Sequence, residues 1–123
     1  KNYEKNLDIL LESHESNCPL PQIKKFSLIK GDVSKTSKQW VKNNPHSIVA
    51  MAIFDMDIYK PTKDALTNIK SRFTKGSVLI FDELNCKEFP GETEALNEVL
   101  GLNKIKLNHY PHQPSRAWAI WGE

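Results

Sequence analysis

IVAMAIFDMDIY (Ile48 to Tyr59) and SVLIFDELN (Ser77 to Asn85) decide how this chain folds. Each is an apolar run that stops on acids, and neither shows the strict alternation of a half-solvated strand. Such runs read as strands buried on both faces, the kind found in parallel sheets covered by helices. In an open α/β sheet, ligands sit in the crevice beyond the carboxyl ends of the strands. Asp55 and Asp57 follow the first run, and Asp82 and Glu83 follow the second. One Asp after a strand commonly caps the next helix. Two such pairs at the same kind of strand end point to a metal or acid/base site.

Working outward, Tyr3, Leu7, Leu10, Leu11 and His14 share one face of an amphipathic helix that Asn17 to Pro21 ends. Lys25 to Lys30 (KFSLIK) reads as a strand closed by Gly31 and Asp32. Thr36 and Gln39 have capping-box spacing for a short helix through Trp40 and Val41, stopped by Asn43-Asn44-Pro45. The strand Ser47 to Phe54 leads to a helix with Pro61 in its first turn and Leu66, Ile69 and Phe73 on one face, ended by Lys75-Gly76. A strand Ser77 to Phe81 and a helix Glu92 to Leu100 follow. Lys104 to Tyr110 and Arg116 to Trp121 then form an antiparallel hairpin around Pro111 to Ser115. The order α-β-α-β-α-β-α-β-β describes one α/β domain over residues 1–123, a Rossmann-like, mostly parallel sheet with a C-terminal antiparallel hairpin.

The 123 residues suffice for one hydrophobic core. A net charge of +2, with Arg72 and Arg116 the only arginines, argues against a dedicated nucleic-acid binder. The run from Ile48 to Phe54 is far shorter than the roughly 20 apolar residues of a membrane span. With no signal-peptide pattern either, the expected location is the cytoplasm, away from a membrane. Cys18 and Cys86 lack metal-binding spacing and read as reduced thiols. The chain opens on Lys1 rather than Met and goes straight into a helix, which reads as a processed, trimmed or partial polypeptide.

Carboxylates and side-chain amides are hard oxygen ligands, suited to Mg²⁺ rather than to zinc or copper. Asp55, Asp82 and Glu83, with Asn85 nearby, supply such a set if the two strands are neighbours. A cation there would orient a substrate hydroxyl, and a spare carboxylate such as Asp57 would take its proton. His109 and His112 at the hairpin turn, and Trp40, Trp118 and Trp121, read as solvated or packing residues.

FDMDIYKPTKDAL (Phe54 to Leu66), GSVLIFDELN (Gly76 to Asn85) and FPGETEAL (Phe89 to Leu96), with IKGDVSKT (Ile29 to Thr36) upstream, resemble the C-terminal half of the macrocin O-methyltransferase family. That family belongs to the class I S-adenosylmethionine-dependent methyltransferases. The resemblance implies methyl transfer to a hydroxyl of a sugar or similar small molecule. It implies that Asp55 is a Mg²⁺ ligand beside the reacting hydroxyl and that Asp82 and Glu83 complete the metal site, Glu83 standing where the family often has Asp. It also implies that Asp32, Val33 and Ser34 lie beside the adenine of S-adenosylmethionine. Asp57 and Tyr59 belong to the motif either as functional groups or as structural ones, Asp57 then bonding amides at the start of the helix.

The chain departs from the class I pattern in one respect: it has no Gly-rich loop after a first strand, its five glycines all being isolated in later turns. The first two strands are therefore expected to be missing. Right-handed crossovers would place the helices near Trp40, Leu66 and Leu96 on one sheet face, leaving the other largely bare. Either the chain is a fragment, or its KFSLIK strand pairs with the Ile48 strand and a second copy, in a homo-oligomer, covers the face. Two other functions fit the acids less fully. One is a D-x-D nucleotide-sugar glycosyltransferase using Asp55 and Asp57; the other is a non-catalytic scaffold or dimerisation module.

Overall fold

The computed structural model describes residues 2–123, which divide into two compact units, one ending at Lys30 and one comprising Gly31–Glu123. In the first, helix α1 (Tyr3–Ser16) forms as its periodicity predicts, although it buries no residue. The strand expected at Lys25 to Lys30 does not form: the segment is irregular, and no strand of the sheet pairs with it. A strand exists only where its N–H and C=O groups meet a neighbouring strand. This segment finds the side chains of α1 instead. The Lys25 amide donates to the Glu15 carboxylate, Lys24 pairs with Glu15 at 3.3 Å, and Lys30 pairs with Glu4 at 2.7 Å. The Lys25 amide is the main reason that the Glu15 carboxyl is held below its ordinary range.

The second unit contains helices α2 (Val33–Asn43), α3 (Tyr59–Ile69) and α4 (Gly91–Val99) and strands β1 (Val49–Phe54), β2 (Phe73–Phe81), β3 (Asn108–Tyr110) and β4 (Gln113–Ile120). The sheet order is β1-β2-β4-β3. β1 and β2 are parallel with Phe54 opposite Phe81, whereas β4 runs antiparallel to both β2 and β3. The parallel pair is as the sequence leads one to expect; the closing hairpin forms too, but β3 is shorter than expected and the turn tighter, since Gln113 to Ser115 belong to β4 and Tyr110 pairs with Gln113.

One sheet face carries the core. Ala52, Phe54, Leu79, Phe81 and Ala117 pack against Ala65 and Leu66 of α3 and Leu96 of α4, with Val33 of α2 at the margin. The Phe54 and Phe81 rings stack with centroids 4.9 Å apart. Helices α2 and α4 each pack against α3, the one-sided arrangement that right-handed crossovers impose on this order. Alternation sends Met51 and Ile53 the other way, where they are 56% and 64% exposed. Register continues that apolar row through Val78 and Ile80 to Ile120 and Trp118.

β2 begins at Phe73, four residues earlier than the sequence suggests. Lys75-Gly76 lies inside the strand, where the register with β1 shifts between Val49 and Met51. Ser77 closes the irregularity: its Oγ donates to the Val49 carbonyl at 2.7 Å and accepts from the Thr74 amide at 2.9 Å. The helix before it stops at Ile69 and tightens into a 3₁₀ turn, Lys70–Arg72. From that turn Arg72 reaches back to donate to the carbonyls of Pro45 at 2.7 Å and Val41 at 3.3 Å, satisfying acceptors at the end of α2.

Candidate active site

The two acidic strand ends lie side by side. Parallel register pairs Phe54 with Phe81, and one residue later the Asp82 amide donates to the Phe54 carbonyl at 3.1 Å. Asp55 and Asp82 therefore leave adjacent strands at the same level, at the carboxyl edge of the parallel pair. This is the edge at which α/β folds bind ligands. Asp55 is exposed there, while Asp82 and Glu83 are half-buried.

The three carboxylates do not gather as a cation set. Among the described residues, no group of three or more His, Cys, Asp or Glu side chains could hold a metal ion. Asp82 is instead ion-paired with Arg116 of the neighbouring strand β4, which meets it through both Nε and a terminal nitrogen. Glu83 lies beside the Cys86 thiol, whose pKa it pushes up. The Mg²⁺ set expected at Asp55, Asp82 and Glu83 is thus not assembled among the described residues, and one of its members, Asp82, is paired with Arg116.

The residues expected beside adenine have structural partners of their own. Asp32 is the N-cap of α2, its Oδ1 accepting from the Ser34 amide at 3.0 Å. Val33 packs against the core. The Ser34 carbonyl accepts from Asn68 at 3.2 Å, tying α2 to α3.

Asp57 does not cap α3; the N-cap is Ile58, with no side-chain hydrogen bond among the described residues. Asp57 instead adopts φ +59 at the centre of a γ-turn, in which the Ile58 amide donates to the Met56 carbonyl at 2.6 Å. That conformation is rare and strained for a residue with a side chain. Tyr59 joins a surface network: its hydroxyl donates to Glu98 of α4, while Lys63 donates to the Tyr59 oxygen at 3.1 Å and pairs with Glu98 at 2.6 Å. Lys63 is accordingly raised well above 10.5, and Glu98 is held below the ordinary carboxylate range.

One residue escapes a reading of the sequence. Glu92, in the first turn of α4, is fully buried. Its Oε1 accepts from the Met56 amide at 3.1 Å and its Oε2 from the Glu83 amide at 3.2 Å. Burial raises its pKa, while the Met56, Glu83 and Asp57 amides oppose that rise. Gly91 makes the approach feasible: a Cβ there would stand 2.2 Å from the Tyr59 nitrogen and 2.6 Å from the Ile58 carbonyl carbon. The clue in the sequence was that glycine, immediately before an acid at a helix start, where turn geometry does not demand one.

No helix among the described residues is long and apolar enough to cross a membrane. No family model and no curated protein matches the chain. Solved structures do. The apo structure of CalS11, a TDP-rhamnose 3'-O-methyltransferase in calicheamicin biosynthesis, is similar at 38% identity and TM-score 0.92, over 98% of this chain and 52% of that one. A crystal structure of CalS11, described as a calicheamicin methyltransferase, is similar at 37% identity and TM-score 0.93, over 99% of this chain and 48% of that one. The chain thus spans about half the length of the solved relatives it matches. The structural neighbours are methyltransferases, and these 123 residues carry a mixed α/β part of a methyltransferase fold.

Proposed function

We propose that this chain is the acceptor-side part of an S-adenosylmethionine-dependent O-methyltransferase that methylates a hydroxyl of a sugar or related small molecule in the cytoplasm. The observation that carries this reading is the pair of acidic strand ends, held level by the Asp82 amide on the Phe54 carbonyl, on a backbone matched at TM-score 0.92 by a sugar O-methyltransferase. The D-x-D glycosyltransferase alternative gains no support from those neighbours.

S-adenosylmethionine supplies an electrophilic methyl group on sulfur. With it bound, the acceptor oxygen would form a bond to that carbon as the carbon–sulfur bond broke, and a neutral thioether would leave. The hydroxyl proton needs an acceptor. Exposed Asp55 is a carboxylate at the strand end placed to take it, and general-base help of this kind contributes about 10²–10⁴-fold. Arg116, paired with Asp82, offsets the charge of that carboxylate beside Asp55. The macrocin-like resemblance of the motifs supports a sugar hydroxyl as the acceptor.

The test is methyl transfer from S-adenosylmethionine to TDP-rhamnose by the full-length protein, read by mass spectrometry of the sugar nucleotide. A methylated product is expected, falling about 10²-fold or more with Asp55→Asn. No transfer to this or to other deoxysugar nucleotides would overturn the reading.

A further inference from the structure

The loops after β1 and β2 are separate in sequence, and each carries its acids on irregular backbone. A single side chain joins them. Glu92 places one carboxylate oxygen on Met56, between Asp55 and Asp57, and the other on Glu83, next to Asp82. The carboxylate is fully buried, and accepting two main-chain amides is what makes a buried acid tolerable. Its own backbone is fixed as well, because Gly91 presses the start of α4 onto Ile58 and Tyr59 at the start of α3. The strained Asp57 turn lies between these two anchors. Asp55 is thus exposed, yet it follows directly from a strand end held by a buried group.

We propose that Glu92 is a positioning residue for the methyl transfer, its carboxylate fixing the Asp55 strand end relative to that of Asp82 and Glu83. The inference rests on the proposed function and adds to it a residue that does not touch the acceptor. Glu92→Gln keeps the shape but turns one acceptor into a donor, so one of the two amides must let go. A displacement of about 1 Å at a reacting group costs on the order of 10²-fold in rate.

The experiment compares wild type, Glu92→Gln, Glu92→Asp and Leu66→Ala in the full-length protein, with TDP-rhamnose and S-adenosylmethionine as probes. Leu66→Ala is the control for lost stability, since Leu66 is buried in the core and stands outside the site. In Glu92→Gln the amide NMR signals of Met56 and Glu83 should move, and kcat should fall about 10–100-fold with KM nearly unchanged. Glu92→Asp retains both carboxylate oxygens and should recover part of that loss. Leu66→Ala should lower Tm without lowering kcat at temperatures well below melting. Unmoved amide signals would overturn the grip, and a kcat for Glu92→Gln equal to that of wild type would overturn the positioning role. Absence of transfer by wild type would overturn the functional reading and the positioning role together, an outcome separate from the other two.

Discussion

The α-carbon of Gly91 lies so close to the Tyr59 amide that a Cβ added to it would stand 2.2 Å from that nitrogen. The neighbour is main chain, which cannot rotate aside as a side chain would. The start of α4 therefore meets the start of α3 backbone to backbone, and the depth of Glu92 beneath the Met56 turn depends on that contact.

Gly91→Ala should destabilise the protein by about 1–3 kcal/mol, the usual cost of forcing extra volume into a packed contact. Thermal or denaturant unfolding measures this. Because the clash lies one residue from Glu92, the amide signals of Met56 and Glu83 should shift as well, although the carboxylate is intact.

Asp32→Ala should cost about 1 kcal/mol through loss of the N-cap on the Ser34 amide. Asp32→Asn should retain most of that stability. Measuring cofactor affinity in both variants separates the two roles of this position. A cap alone predicts that S-adenosylmethionine binding follows stability, whereas contact with the cofactor predicts that Asp32→Asn weakens binding while Tm holds.

Ser77→Ala removes the hydroxyl that serves both the Val49 carbonyl and the Thr74 amide inside the register shift of β1 and β2. A loss of about 1–3 kcal/mol is expected, the cost of leaving a buried partner unsatisfied. A cavity effect of similar size would be unexpected for so small a side chain, so Ser77→Thr, which keeps the hydroxyl, should lose less.

The Tyr59–Lys63–Glu98 network predicts a pH dependence of defined sign. The Glu98 carboxyl is held below its ordinary value of 4.5, chiefly by Lys63. Its contribution to stability is therefore present above that value and is lost as pH falls through the depressed one. Lys63 is raised above 10.5, so its contribution is present below that value and lost only at strongly alkaline pH. Unfolding curves of wild type and Glu98→Gln should differ by a small constant near neutrality and converge on acidification. The effect is small because these groups lie at the surface, where salt screens them.

Much of the second unit could be read from apolar runs alone. IVAMAIF buries Ala52 and Phe54, and SVLIF buries Ser77, Leu79 and Phe81, at alternate positions, the pattern of strands with helices packed on one face. KFSLIK has similar composition, yet strand formation depends on a neighbour that composition does not name, and Glu15 of α1 took the Lys25 amide instead. The acids were legible as strand-end residues, but their pairing was not: Arg116 lies 34 residues beyond Asp82 and reaches it only across an antiparallel register. Glu92 was hidden for a related reason. An acid in the first turn of a helix normally faces water and the helix dipole, and only the missing Cβ of Gly91 lets this one descend between two loops.

β1 has the composition of a strand made for the middle of a sheet, and it stands at the border of this one. Its outer main-chain amides and carbonyls form a ready template, flanked by exposed Met51 and Ile53. The same edge that would zip onto further strands of a larger sheet would, in a concentrated solution of these 123 residues by themselves, recruit whatever extended chain came by. Charged residues at Met51 and Ile53 are therefore expected to reduce association of the isolated polypeptide through this edge.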